Sequence, residues 1–316
     1  MTWKKIRLAI TFLITAFILY IIYSDIDIDA FSNIFSGMNH AWFWLGMSIF
    51  VMSALITSYR YLVMLSTSVR IPIKTSLKLY FAGNSLNVVL PSKIGDMSKA
   101  IFLKKEGIIG LPAGFSSVVA EKIFDVAGLS VVMLTGLALL PPNSNFTPQI
   151  KHTIVAVGLV FLFLPSLIYF FDFKRFKFLK RFAALDKIFL EVQNFLENMK
   201  KKPAKLVLAA ILSVASWFIQ VFQIFCFFKA FSNDAEIVLT FALVPIAIFI
   251  GLIPIAFAGI GTRDKALIVL FGWYGYPDYL MAAVGLMCTV RYIIPALCGL
   301  PFMIKYFSKD KEIITN

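Results

Sequence analysis

The chain has 316 residues, of which 60% are hydrophobic, and its mean hydropathy is +0.86. A water-soluble chain of this length carries more charge, because a folded surface must be wetted, so the composition excludes a soluble fold. The 30 basic and 17 acidic residues give a formal net charge of +13. Because these charges flank apolar runs, they indicate the ends of membrane spans and not a nucleic-acid-binding surface.

Six apolar runs have about the length that a helix needs to cross 30 Å of hydrocarbon. The runs are 8–23, 42–65, 115–140, 150–171, 206–228 and 279–306. The first resembles a signal peptide, but no small-x-small cleavage site follows it, so we expect a retained anchor. Two more stretches, 77–103 and 237–271, are apolar but interrupted by Pro, Gly and charged residues. We predict an all-α polytopic membrane bundle that forms one domain over residues 1–316.

The basic residues set the orientation. We call the six uninterrupted apolar runs clean runs. If each clean run crosses the membrane once and each interrupted stretch returns to the side from which it enters, nearly all basic clusters lie on the cytoplasmic side with the amino terminus. The opposite face then holds Asp25, Asp27, Asp29, Asp234, Glu236 and Asp278, with Lys151 and Lys229 as its clear basic residues. We therefore expect two re-entrant, broken-helix segments and both termini in the cytoplasm of a bacterial inner membrane.

The segment 174–202 mixes aromatic and basic residues and then becomes amphipathic. This pattern is typical of a helix that lies on an anionic cytoplasmic leaflet. Basic residues that only determine topology explain it equally well.

The two interrupted stretches resemble each other. From Ile94 and Ile260 onward, Ile, Gly, Lys and Ala coincide in register, and each stretch follows a helix-breaking proline. Paired interrupted segments in two halves are the sequence pattern of an inverted-repeat transporter with a binding site near the membrane midplane. We predict inverted repeats on this basis.

Such segments suit a polar, anionic ligand. Glycine lets backbone approach a ligand closely, and a half-helix that begins near Asp96 or Thr262 would attract an anion. We expect a phosphate-bearing headgroup to be bound by Lys93, Gly95, Asp96, Lys99, Gly259, Gly261, Thr262, Arg263 and Lys265. The alternative is a pair of kinked packing helices whose lysines snorkel.

Charged residues also lie inside clean spans. Glu121, Lys122 and Asp125 fall in the third clean run, and Arg291 lies near the middle of the last. An unpaired cation there is costly, so we expect Arg291 to pair with Glu121 or Asp125. Whether this network is structural or contacts substrate stays open. Arg60, near the end of its span, is expected to snorkel.

The ordered motifs resemble the lysylphosphatidylglycerol synthase transmembrane, or flippase-like, family over nearly the whole chain. They are Asn84…Leu90-Pro91…Gly95-Asp96, Glu121-Lys122…Asp125, Gly259-Ile260-Gly261-Thr262-Arg263-Asp264, a late Arg291, and Tyr59-Arg60-Tyr61. The resemblance adds Asn84 to the headgroup site and implies lipid transport by a stand-alone member without the aminoacyltransferase domain. Lys122 stands where arginine is commoner in the family.

We therefore expect a non-enzymatic flippase for an anionic lipid, either a phospholipid or a polyprenyl-phosphate-linked glycan. Cys226, Cys288 and Cys298 have no paired spacing, so neither a metal nor another cofactor is expected. The expected partners are the lipid substrate and the anionic leaflet, not nucleic acid, and homo-oligomer formation stays open.

Two other functions compete with transport. A membrane glycosyltransferase would use Asp25, Asp27 and Asp29 to bind a metal, although Asp29 capping a helix over 30–35 explains that loop better. A scaffold in envelope assembly is the other alternative.

The orientation can be tested by labelling. Cysteines introduced at Ser32 and Asn145 should react with an impermeant thiol reagent in whole cells, whereas a cysteine at Asn198 should not. Labelling of position 198 from outside would overturn the orientation and with it the inverted repeat.

Overall fold

The computed structural model describes residues 26–89, 95–141, 148–170, 183–253 and 261–314, together with Tyr20 and Ser24. Within these ranges the regular elements are helices, as predicted. In chain order they are α1 (Ile28–Ser36), α2 (His40–Leu65), α3 (Ile73–Val89), α4 (Ser98–Lys105), α5 (Leu111–Leu139), α6 (Pro148–Phe170), α7 (Ala183–Lys200), α8 (Pro203–Phe231), α9 (Ile237–Leu252), α10 (Thr262–Gly272), α11 (Asp278–Val290) and α12 (Ile293–Ile314). The predicted first span lies outside the described residues except for Tyr20.

The described helices confirm a polytopic membrane bundle. Four segments are long and apolar enough to cross a bilayer: His40–Leu65, Leu111–Leu139, Pro203–Phe231 and Asp278–Tyr306. Each coincides with a predicted span. Shorter apolar helices cover Pro148–Leu164 and Ile237–Leu252. In both interrupted stretches the described residues form two helices, α3 and α4 in the first and α9 and α10 in the second, while their re-entrant course and their repeat relation stay predictions.

The last predicted span, 279–306, is confirmed as a candidate span, but it consists of two helices. The helical hydrogen-bond pattern is interrupted between α11 and α12, where the Tyr292 N–H donates to the Thr289 carbonyl three residues earlier, at 3.1 Å. The cause is Pro295, which has no N–H to donate to the carbonyl of Arg291 four residues earlier. The structure therefore contains a third helix break that the sequence analysis did not predict.

The bundle is organised around α5, which contacts α4, α6, α7, α8 and α9. Helix α2 packs along α8, and α3 packs along α12. Small residues permit close approach at these crossings, as is usual between membrane helices. Gly136 of α5 lies against the backbone of Phe241 and Ala242, and Gly299 of α12 lies against the carbonyl of Phe81.

The described part of the amphipathic segment, α7, packs against the bundle. Its residues Phe195, Leu196 and Met199 are at most 8% exposed and join a core with Tyr61 and Phe102. Because this apolar face is covered by protein, it does not face lipid. Contact of the segment with an anionic leaflet stays a prediction.

The close helix crossings generate a stability prediction. Gly136→Ala and Gly299→Ala should each lower the midpoint of thermal unfolding, because the added Cβ overlaps neighbouring backbone and overpacking costs about 1–3 kcal/mol. Gly272→Ala is the matched control, since no atom lies within 4 Å of a Cβ there. Unchanged midpoints for both crossing variants in detergent would contradict the packing.

Candidate functional site

A cavity of about 320 Å³ lies where the broken helices meet. All three breaks contribute to its wall: Asn87 and Asp96 flank the first, Leu252 and Arg263 flank the second, and Tyr292 lies in the third. Helices α2, α5 and α8 complete the wall. Described residues of both interrupted stretches therefore line one cavity.

Buried ion pairs form one side of the cavity. Arg60 is 1% exposed; it donates to Glu121 at 3.2 Å, to Asp125, and to the Ser213 hydroxyl at 3.0 Å. Lys99 donates to both oxygens of Glu121, at 2.8 and 3.0 Å. This arrangement joins α2, α4 and α5 through charged groups, and it joins α8 through the Ser213 hydroxyl.

Lys122 extends the network toward the cavity. Its ammonium pairs with Asp96 and, at 3.3 Å, with Asp125. With 38% of its side chain exposed, Lys122 is the most accessible charged group of the network, whose carboxylates are at most 17% exposed. The network holds three cations and three carboxylates, so it is neutral overall.

The expectation that Arg60 snorkels is wrong. Its side chain points into the bundle, because α5 presents Glu121 and Asp125 on the face that packs near α2. Burying a cation in a membrane protein is expensive unless carboxylates pair with it, and here two do.

The predicted pairing of Arg291 with Glu121 or Asp125 is also wrong. Arg291 is 5% exposed and donates to the Gln223 side-chain oxygen at 3.1 Å, the Tyr292 hydroxyl at 2.8 Å and the Gln220 carbonyl at 3.3 Å. Arg60 occupies the two carboxylates, whereas the α11–α12 break turns Arg291 toward α8. Among the described residues, no carboxylate pairs with Arg291.

The start of α10 is stabilised locally. Gly261 has φ 91°, a conformation that glycine adopts without strain, and its N–H donates to Asp264 at 3.1 Å. Arg263 pairs with Asp264 at 2.7 Å and also donates to the Thr289 hydroxyl at 2.9 Å. Arg263 lines the cavity, but Asp264 already neutralises its charge.

The structure brings most of the described predicted site residues together. Those that line the cavity are Asn84, Asp96, Lys99, Arg263, Glu121, Lys122 and Asp125. Gly95 is buried against the backbone of Leu86 and Asn87, and this contact places Asp96, whose N–H donates to the Asn87 side chain at 3.2 Å. Thr262 does not line the cavity, and Lys265 is exposed outside it. Lys93 and Gly259 lie outside the described residues.

Sequence analysis missed several cavity residues, among them Arg60, Asn87, Trp217 and Gln220. The available signal was polarity: Gln220 and Gln223 interrupt an apolar run at a spacing of three, which places them on one helix face.

Comparison with known proteins decides the family. Residues 6–299 match the family described as the lysylphosphatidylglycerol synthase TM region. The chain belongs to this family. Among its relatives, UPF0104 membrane protein MJ1078 of Methanocaldococcus jannaschii is 26% identical over 58% of this chain and 78% of its own. UPF0104 membrane protein MJ1595 of the same organism is 24% identical over 72% of this chain and 73% of its own.

A shorter similarity involves an enzyme. Glycosyltransferase AglD of Haloferax volcanii is 39% identical over 61 residues, which are 18% of this chain and 10% of the relative. The similarity thus concerns a small part of both proteins.

The ion-pair network can be tested through Arg60. Arg60→Met should lower the midpoint of thermal unfolding, because it leaves buried carboxylates underpaired, and removing one partner of a buried pair costs about 3–5 kcal/mol. Adding Asp125→Asn should restore part of the loss. The control is Arg70→Met, whose side chain is exposed after α2. Equal midpoints for the Arg60 and Arg70 variants would contradict the buried network.

Proposed function

We propose that this member of the lysylphosphatidylglycerol synthase TM family moves an anionic lipid between the leaflets of a cytoplasmic membrane. The observation that carries the proposal is a cavity at three helix breaks with a buried arginine, Arg291, beside it that no described carboxylate neutralises. The neutral partners of Arg291 are Gln220, Gln223 and Tyr292, and Gln220 and Tyr292 line the cavity.

The balance of charge favours an anion. The network around Lys122 is neutral, and Arg263 is matched by Asp264. Arg291 therefore leaves a surplus positive charge next to the cavity, and a buried cation at membrane depth is costly by several kcal/mol. A bound phosphate would offset that cost. Lys122, the most exposed charged group of the network, is the side chain best placed to contact the phosphate.

Part of the cavity wall suits a lipid. Val88, Leu252 and Ile293 line it and are 45%, 41% and 45% exposed. In a membrane these apolar side chains would contact hydrocarbon, so acyl chains can stay in the bilayer while the headgroup enters the polar part. A purely ionic ligand would not require this apolar wall.

The broken helices supply a route for alternating access. Irregular backbone at membrane depth is tolerated where it faces protein or a water-filled cavity, and transporters place their sites at such breaks. A phosphate that competes with Asp96 for Lys122 would weaken a contact between α5 and the turn before α4. Binding of the headgroup would thereby favour a different position of the first broken segment.

The enzymatic alternative has less support. It is favoured by the short similarity to glycosyltransferase AglD and by the acidic loop at 25–29. However, Asp27 is used as the cap of α1, accepting the Ala30 N–H at 3.0 Å. The expected cap, Asp29, is wrong by two residues and lies in the first turn. A metal site of three carboxylates would have to break this cap.

The proposal is tested by lipid exchange in proteoliposomes. Lys122→Gln and Arg291→Gln should each slow the movement of phosphatidylglycerol carrying a fluorescent acyl chain by about tenfold or more, because each removes a charged hydrogen-bond donor. Arg291→Lys should retain more activity than Arg291→Gln. Exchange is measured as the fraction of fluorophore that externally added dithionite reaches over time.

Lys265→Gln is the matched control and should exchange lipid like the unaltered protein, since Lys265 is exposed outside the cavity. Absence of exchange by the unaltered protein, or equal rates in all four variants, would contradict the proposed function.

A further inference from the structure

We propose that the protein binds one anionic glycerophospholipid as a resident lipid, in a second cavity that is separate from the one at the helix breaks. The second cavity has a volume of about 380 Å³ and lies between α5, α6, α7 and α8. One acyl chain occupies it, and the headgroup lies at its end near Lys200. The inference does not rest on the proposed function, because it concerns another side of the bundle.

The second cavity lies on the side of α5 that faces away from the ion-pair network. Ile123 and Ala127 line the second cavity, whereas Lys122 and Asp125 line the first. At 3.6 residues per turn, these two pairs of residues point to largely opposite sides of the helix. The resident lipid therefore contacts α5 without contacting the charged groups that line the first cavity.

The wall of the second cavity is apolar and elongated. On α5 it extends from Ala120 to Val131, which is about 16 Å at a rise of about 1.5 Å per residue. On α8 it is formed by Leu206, Ala210 and Val214, which follow one another at one helical turn. One leaflet contains half of a hydrocarbon core of about 30 Å, so the cavity is about as long as the acyl region of one leaflet.

The rim of the second cavity faces hydrocarbon. Leu162 of α6 and Ala210 of α8 line the cavity, and the next residue along each helix, Phe163 and Ile211, is 58% and 59% exposed. In a membrane, exposed apolar side chains at this depth contact lipid tails. An occupant therefore enters from the bilayer, which an acyl chain can do and a water-soluble ligand cannot.

A cation marks the end of the cavity at which the headgroup lies. Among the described lining residues Lys200 is the charged one, and it stands at the end of α7, just before α8 begins. Lys202 and Lys205 lie at the same end, where they donate to backbone carbonyls at the end of α2 at 2.9 and 3.0 Å. The predicted orientation puts this end at the cytoplasmic surface. Such a group of basic residues favours a headgroup with net negative charge over a zwitterionic one.

The resident lipid supports a close contact between α5 and α8. Gly128 lines the second cavity, and a Cβ at this position would lie 2.8 Å from the carbonyl carbon of Ser213. The Ser213 hydroxyl accepts from Arg60 at 3.0 Å, so the same crossing places one of the partners of the buried network. An acyl chain in the cavity makes dispersion contacts with both helices beside this crossing, and such contacts stabilise packed helices. Anionic lipid should therefore raise the stability of the bundle.

The headgroup contact is tested by thermal unfolding of delipidated protein in detergent with added lipid. Phosphatidylglycerol should raise the midpoint more than phosphatidylcholine with the same acyl chains. In Lys200→Gln, the phosphatidylglycerol concentration that gives half of this effect should rise about fivefold, as expected for loss of one basic residue near an anionic lipid. Lys201→Gln is the matched control, because Lys201 is exposed and does not line the cavity.

The acyl-chain contact is tested by filling the second cavity. Ala210→Leu places a larger side chain in it, so the rise in midpoint caused by phosphatidylglycerol should fall by about half or more. Ala138→Leu is the matched control, since Ala138 of α5 is exposed and does not line the cavity. Lys200→Gln leaves the apolar wall unchanged, so the proposal stays testable if Ala210→Leu does not fold.

Lys122→Gln distinguishes the second cavity from the first. Because Lys122 lines the first cavity, this variant should keep the half-effect concentration of the unaltered protein. A weaker effect of phosphatidylglycerol in Lys122→Gln but not in Lys200→Gln would assign the stabilisation to the first cavity and overturn the proposal. Equal stabilisation by phosphatidylcholine, or by oleate as a free fatty acid, would also overturn it. None of these outcomes decides whether the protein moves lipid, which the exchange assay measures separately.

Discussion

The neutralisation of charge in a medium that cannot solvate it is the constraint on which the structure depends. Glu121 of α5 is 1% exposed and lies between Arg60 of α2 and Lys99 of α4. None of these groups can be buried alone, because an unpaired ion at membrane depth costs several kcal/mol. The pairs therefore fix α2 and α4 relative to α5, and through the Asp96–Lys122 contact they also fix the turn that precedes α4.

The helix breaks determine where this charged region becomes accessible. Pro295 removes one helical hydrogen bond after Arg291, and Gly261 adopts a backbone conformation that favours glycine. Interrupted backbone leaves polar groups that lipid cannot satisfy, so the breaks must face protein or water. Because residues that flank all three breaks line the same cavity, the cavity and the ion-pair network lie side by side.

The sequence predicted the positions of the helices better than it predicted which charged side chains pair with each other. Span positions follow from hydropathy, which depends on helix length and bilayer thickness, and His40–Leu65 matches its predicted run closely. Breaks in 77–103 and 237–271 were visible as proline and glycine. The ion-pair partner of each buried charged side chain could not be predicted, because a sequence gives the depth of a residue along its helix but not the neighbour that packs against it. Arg291 was expected to pair with Glu121 or Asp125 and Arg60 to snorkel, whereas the packing of α2 near α5 pairs Arg60 with both carboxylates.

The similarity of the two broken stretches does not extend to their charges. Lys99 and Lys265 are aligned, yet Lys99 is buried against Glu121 whereas Lys265 is exposed. In the second stretch the cavity-facing charge is Arg263, which the adjacent Asp264 neutralises within α10 itself. In the first stretch the carboxylate Asp96 is neutralised by Lys122 from another helix. An ion pair within one helix moves together with that helix, whereas an ion pair between two helices must break when the helices separate. Under the proposed function, the first broken segment is therefore the one whose position a competing anion would change.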